Sequence, residues 1–168
     1  IVEQITGQKF LDFLKDRFLR KAGFGEDTYC IQAPGGYSFS DSGVMCTARD
    51  LLTFCRFVAN HGTWDGVRYM NEDYLKTATS KLVDNSSCGF VSCSDHGYGY
   101  QIWQMPRGGF AFFGMGDQFA VYDPQTDFIF VINSDNQGNA PVSRAILYHC
   151  LYKNIVEKLG APLAEDPE

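Results

Sequence analysis

The feature that most constrains this chain is a single change of hydrophobic period near its middle. Up to about residue 83, apolar residues recur at spacings of three and four, as on one face of a helix. From Tyr98 to Asn133 they gather into four short runs separated by tight turns, as strands do. A chain that switches period once, helices first and strands after, builds an α+β fold rather than an alternating α/β one.

In the helical half, Ile1, Val2 and Ile5 open a stripe that Thr6-Gly7 interrupts. Phe10, Leu11, Leu14, Phe18 and Leu19 resume it until Gly23 and Gly25. Residues 27–45 read as irregular around Pro34-Gly35-Gly36 and a Ser-rich patch, Ser38 to Ser42. Thr47 then caps a helix, with Asp50 three residues on; Leu51, Leu52, Cys55 and Val58 are its expected buried stripe, and Asn60-His61-Gly62 ends it. After a turn at Asp65-Gly66, Asn71 caps a helix running to about Lys81.

The expected strands are Tyr98–Gln104, Phe110–Gly114, Gln118–Tyr122 and Asp127–Asn133. Turns at Pro106-Arg107-Gly108-Gly109 and Asp123-Pro124-Gln125-Thr126 are short enough to make neighbours antiparallel. Pro141 suits the first turn of a last helix whose apolar face is Val142, Ile146, Cys150, Leu151 and Ile155. The expectation is one domain over 1–160: a helical part to about 83, a polar loop at 84–97, an antiparallel meander at 98–133, and a helix at about 141–159 packed on the sheet. The tail at 161–168 frays.

Composition sets the remaining bounds. With 168 residues, 45% hydrophobic, 14 Phe and 9 Tyr, the chain has the apolar content of a packed core rather than of a disordered segment. Its net charge of −6 argues against nucleic acid, whose phosphates demand a basic surface. The densest basic stretch, Lys15 to Lys21, includes Asp16 and reads as a solvated helix face. The longest apolar run, Phe128 to Ile132, is far short of the ~20 residues of a membrane span and suits a buried strand. The chain opens on Ile1 without the charged-then-apolar pattern of a secretory signal, and localisation stays open.

Six cysteines stand at 30, 46, 55, 88, 93 and 150. Cys55 and Cys150 fall on expected apolar faces, where a thiol behaves as a small hydrophobe. Cys88, Cys93 and His96 share the polar loop; a metal there needs a fourth ligand, so a local disulfide and free thiols stand beside it and no metal is assigned.

No Gly-x-Ser-x-Gly occurs, and no Ser is followed three residues later by Lys. Thr6-x-x-Lys9 straddles the break at Gly7, and His61, His96 and His149 have no acid or nucleophile at a telling spacing. The most specific pattern is Phe112-Phe113-Gly114-Met115-Gly116-Asp117-Gln118. Two glycines at a strand mouth permit close backbone approach, either to a ligand or to packed chain, and a bulge or hairpin bend is the plainer reading.

The order of IVEQITGQKFLDFL, GVMCTARDLLTFCRFVANHGTWDGVRYM, GYGYQIW and GMGDQFAVYDPQTDFIFVINSDNQG resembles the serine β-lactamase family over roughly Ile1 to Leu159. Within that family it is similar to the broad branch that holds class C β-lactamases, D-Ala-D-Ala carboxypeptidases and related esterases. The resemblance implies the C-terminal part of a β-lactamase/transpeptidase-like fold. Members attack an acyl carbonyl with a Ser activated by the Lys of Ser-x-x-Lys, helped by Tyr-x-Asn or Ser-x-Asn and by a strand carrying Lys-Thr-Gly or His-x-Gly.

The third motif falls at Phe112-Phe113-Gly114, where only the Gly remains. Met115 would supply a backbone N–H to an oxyanion hole. The cleft and oxyanion side implied is Phe112, Phe113, Gly114, Met115, Gly116 and Gln118. Ser134-Asp135-Asn136 and Tyr152-Lys153-Asn154 match the middle motif in letters, but both follow the sheet, whereas the family places it before. The chain therefore looks like the C-terminal part of a longer hydrolase, with no nucleophile, cofactor or metal of its own.

Its expected partners are a small acyl substrate in the complete protein, and either the missing N-terminal part or a second copy paired along an exposed sheet edge. Phe128, Phe130 or their neighbours are expected to stand exposed on a half-covered sheet. A non-catalytic binding or interaction module is the rival reading. Tyr98, Tyr100, Trp103, Phe110 and Phe112 line an acyl pocket or, alternatively, the core.

Overall fold

The computed structural model describes residues 1–86, 96–136 and 149–160. The chain divides into two units, Ile1–Phe54 and Cys55–Glu168.

In the first unit, α1 (Val2–Thr6) stops at Gly7, and α2 (Phe10–Leu14) runs on into a π turn over Lys15–Leu19. Leu11, Phe18, Leu19 and Ala22 are buried. Lys15, expected on a solvated face, is buried as well, and its Nζ donates to the Glu26 carbonyl at 2.9 Å. The looser π turn brings this long side chain inward, where the carbonyl keeps the charge partnered.

The stretch expected to be irregular contains a small antiparallel ladder, β1 (Tyr29–Cys30) with β2 (Val44–Met45), extended by a Gln32–Ser38 bridge. Two-residue strands are too short to show a period. Asp50, at the start of α3 (Ala48–Ala59), is buried and accepts from Gly25 N, Thr28 Oγ1, Thr47 N and Thr47 Oγ1 at 2.8–3.2 Å. Thr47 Oγ1 in turn accepts the Asp50 N–H at 3.1 Å, a reciprocal cap with Asp in place of Glu.

In the second unit, Cys55, Phe57 and Val58 are buried at the end of α3, while Leu52, earlier in that helix, is exposed and departs from the expected stripe. β3 (Thr63–Trp64) and β4 (Val67–Arg68) pair across Asp65-Gly66, both in the left-handed region that a type I′ hairpin turn requires. Asn71 Oδ1 accepts from Tyr74 N and caps α4 (Glu72–Ala78). That helix ends before Lys81: the Thr79 and Ser80 hydroxyls bond back to the Leu75 and Thr77 carbonyls and take the place of a further turn.

The sheet is a meander in the order β5 (Trp103–Gln104), β6 (Phe110–Gly114), β7 (Gln118–Asp123), β8 (Phe128–Ile132), antiparallel throughout. The strand expected over 98–104 is short. Gln101 takes a positive φ, and Tyr98 bridges back to Trp103, so the Gly-rich run folds on itself and leaves two residues to pair with β6. At the next turn Arg107 Nε lies 3.2 Å from the buried Asp123 carboxylate, which also accepts from Thr126 N and Oγ1, so two turns are tied by one acid.

Pairing sorts the side chains. Ala111, Phe119 and Val121 form a core with Met105, Leu151 and Val156, and Trp103, Phe113, Phe128, Phe130 and Ile132 pack against it. On the opposite face Phe110 and Ala120 are buried. There the Tyr122 hydroxyl is pushed up in pKa chiefly by burial, with Asp127, Asp123 and Cys55 adding to the shift.

Within the described residues the last helix, α5, occupies 149–159 and includes a π turn over Tyr152–Val156. Its buried residues are Leu151 and Val156, five apart, while Ile155 and Cys150 are exposed. A π turn joins residue i to i+5, and this register moves the buried face off the one that α periodicity implies. The same packing corrects the expectation for Phe128 and Phe130, which are half-buried against the core rather than exposed.

Candidate functional site

The segment singled out by its glycines is the hairpin joining β6 to β7. Gly114 pairs with Gln118, so Met115, Gly116 and Asp117 form a three-residue tip. β5 pairs only with Phe110 and Ala111; among the described residues, Phe112 to Gly114 therefore run past the end of the neighbouring strand. A strand edge of this kind presents backbone donors and acceptors to whatever lies alongside.

The pleat separates the two phenylalanines. Phe113 points to the core face, stacked on Trp103 with ring centroids 5.6 Å apart and edge-on to Phe119 at 4.6 Å. Phe112 points to the other face, its ring 5.6 Å from that of Phe110. One cleft wall can therefore use Phe112 or Phe113, not both. Met115, at the tip, is 87% exposed.

Of the other aromatic candidates, Phe110 is buried, Tyr98 packs on Trp103 at 4.6 Å, and Tyr100 is exposed beside Tyr74. The structure thus divides the set expected to line either a pocket or the core.

The tip is bound from behind. Continuing the Phe119↔Ile132 register brings Ser134 level with Asp117. Ser134 Oγ lies 2.9 Å from the Gly116 carbonyl and 2.6 Å from the Asp117 carbonyl. The two hydrogens of Gln118 Nε2 are shared among the carbonyls of Met115 (3.3 Å), Gly116 (3.4 Å) and Ser134, while its Oε1 accepts the Ser134 N–H at 3.3 Å. Asn136 Nδ2 donates to Asp117 Oδ2 at 3.3 Å, and Asp117 is fully buried with φ 64°. Ser134-x-Asn136 thus meets the Gly-rich tip through side chains, although its place after the sheet differs from the family's order. The findable signal was register: short polar residues two and four places beyond β8, opposite a glycine turn.

The other candidates are dispersed. Tyr152-Lys153-Asn154 lies in the π turn of α5, with Lys153 and Asn154 exposed. His61, His96 and His149 are exposed, and Cys88 and Cys93 lie outside the described residues. In the first unit, Thr6 Oγ1 donates to the Val2 carbonyl at 2.8 Å, while Lys9 Nζ donates to the Gly36 carbonyl and lies 3.9 Å from the Glu3 carboxylate. Thr6 and Lys9 are therefore committed to different partners.

Glu3 accepts from the Ser38 hydroxyl, from Ser38 N (3.2 Å) and from Phe10 N (3.0 Å), and the Ser38 bond leads in holding its carboxyl below the usual range. A carboxylate committed to three hydrogen bonds suits a structural tie better than a general base. A shallow space of about 230 Å³ lies beside Glu3 and Lys9.

The β-lactamase family model matches residues 1–149. A 6-aminohexanoate-dimer hydrolase from Paenarthrobacter ureafaciens is 29% identical over 136 residues, covering 78% of this chain and 35% of its own length. A Bacillus anthracis structure described as a 6-aminohexanoate-dimer hydrolase superposes with a TM-score of 0.75 at 21% identity, over 94% of this chain and 40% of that one. A β-lactamase structure from Mycobacterium bovis gives 0.65 at 16% identity, over 95% and 60%. The chain thus spans about a third of the curated relative's length.

Proposed function

The chain belongs to the β-lactamase family, and on that premise we propose that it is the C-terminal portion of a serine hydrolase acting on an ester, amide or β-lactam through an acyl-enzyme. The nucleophilic Ser and its Lys belong to the complementary portion, since no Ser here is followed three residues later by Lys. This chain supplies one cleft wall and the oxyanion side.

The observation that carries the reading is the β6–β7 tip. Gly114 and Met115 lie where β6 has outrun β5, at an edge where a backbone N–H can meet a carbonyl oxygen as it gains charge. One such donor is worth about 10²–10³ in rate when fixed beforehand. Among substrates, a linear amide is favoured by the name of the curated hydrolase relative. The Phe112 and Gln118 side chains and the Gly116 backbone shape and hold this edge, Phe113 anchors it in the core, and none of them transfers a proton.

A non-catalytic binding module is the second reading. It is favoured by the apolar Phe112-Phe113 where the resembling enzymes carry a basic or imidazole side chain, and by the packing of Phe113 into the core.

The test is hydrolysis of a chromogenic amide, ester and β-lactam by the chain alone and by the intact protein bearing Ser-x-x-Lys. Turnover by the intact protein alone supports the hydrolase portion. Absence of turnover from both, with retained binding of an acyl compound, supports the module.

A further inference from the structure

Resting on the hydrolase reading above, we propose that Ser134 and Gln118 are positioning residues for acyl transfer: they lock the Met115–Asp117 tip from behind and so aim the Met115 N–H without touching substrate. The two Gln118 Nε2 hydrogens and the single Ser134 Oγ hydrogen are shared among the tip carbonyls and that of Ser134, Gln118 reaching Met115 and Gly116, and Ser134 reaching Gly116 and Asp117. Closing the hairpin needs only the Gly114↔Gln118 pair, so this bonding exceeds what the turn itself requires.

The clamp has one polarity. Gln118 Oε1 takes the Ser134 N–H while its Nε2 faces carbonyls, and flipping the amide would set N–H against N–H. Asn136 anchors the far end through the buried Asp117 carboxylate.

The consequence follows from peptide planarity. A carbonyl held on one side turns the N–H of the same peptide to the other. The peptides after Met115, Gly116 and Asp117 are held in this way, and the one that carries the Met115 N–H starts at Gly114, which stands in register with Gln118. Met115 therefore sits between a paired strand residue and a clamped carbonyl, although its own side chain is 87% exposed. A donor fixed before the reaction costs no reorganisation when the oxyanion forms, and a misplacement of about 1 Å can lose about 100-fold in rate. Ser134-x-Asn136 thus serves the site from behind, in a role unlike that of the proton-transfer triplet it matches in letters.

The test uses the intact, Ser-bearing protein with Ser134→Ala, Ser134→Thr and Asn136→Ala, and backbone amide exchange on the same variants. Ser134→Ala should lower kcat about 10–100-fold with KM changed less than about twofold, and Ser134→Thr, which keeps the hydroxyl, should restore most of the loss. Exchange of the Ser134 N–H, which Gln118 Oε1 holds against the tip, should quicken at least about tenfold while Ala120 and Val121 stay protected. Should Ser134→Ala not fold, Asn136→Ala must show a smaller change in the same direction. An active wild type whose variants raise KM at constant kcat, or leave that exchange unchanged, overturns this role and spares the hydrolase reading. A wild type without turnover overturns both.

Discussion

Asp50 shows how one residue organises a junction of loop and helix. Burial is the largest single influence on its carboxyl and favours the neutral form, yet hydrogen bonds from Gly25, Thr47 and Thr28 together outweigh it and hold the pKa below the ordinary value. A depressed carboxylate stabilises the fold above its unfolded pKa, near 3.9, and that contribution is lost as pH falls through the folded value. Asp50→Ala should cost about 2–4 kcal/mol in urea unfolding at pH 7, because it removes a cap and strands buried donors. The cost should shrink below about pH 4, where the wild type also loses the contribution; a cost constant from pH 7 to pH 3 would contradict the account. Cys55 is the contrasting case: burial alone pushes its thiol to about 12. Under native conditions a thiol reagent should therefore modify the exposed Cys150 and leave Cys55 untouched until unfolding, as peptide mapping would report.

Among the elements, two glycines near the sheet differ in what they tolerate. A Cβ on Gly99 would sit 1.9 Å from the Ala78 carbonyl oxygen, a backbone atom, whereas one on Gly114 would meet the Gln118 side chain at 3.0 Å. Gly99→Ala should therefore cost about 3 kcal/mol or more, and Gly114→Ala about 1 kcal/mol, by denaturant midpoint. The larger Gly114→Val should cost more than Gly114→Ala and loosen the tip. Equal midpoints for Gly99→Ala and Gly114→Ala would show that one of these approaches is misplaced.

The elements that were legible in the sequence are those whose signal is local and repeated. The caps at Thr47 and Asn71, the turn at Asp65-Gly66 and the run Phe128–Ile132 all rest on residues within a few places of one another. The π turns at Lys15–Leu19 and Tyr152–Val156 change the period inside a helix, and the β1–β2 ladder is too short to have one. The clamp on the tip joins residues 16 to 19 apart, and only the strand register brings them together.

For the whole molecule, β8 stands at the end of the described sheet with five consecutive apolar residues, all half-buried. Such a run suits a strand with neighbours on both sides, and no charge or proline blunts its outer edge. The chain should therefore self-associate at micromolar concentration, or bind the complementary portion of the hydrolase. Light scattering coupled to size exclusion should show more than a monomer, and a Lys in place of Val131 should shift the profile toward monomer. A monomer with a cooperative melt and no uptake of apolar dye would show that these residues close a core unaided.

The central claim is that this chain shapes an acyl-transfer site without holding its nucleophile. Mass spectrometry after exposure to a fluorophosphonate and to a penicillin probe tests it most directly. The account predicts no adduct on this chain alone, and in the intact protein a single adduct on the Ser of Ser-x-x-Lys. A stoichiometric adduct on any serine of the isolated chain, Ser134 included, would contradict it.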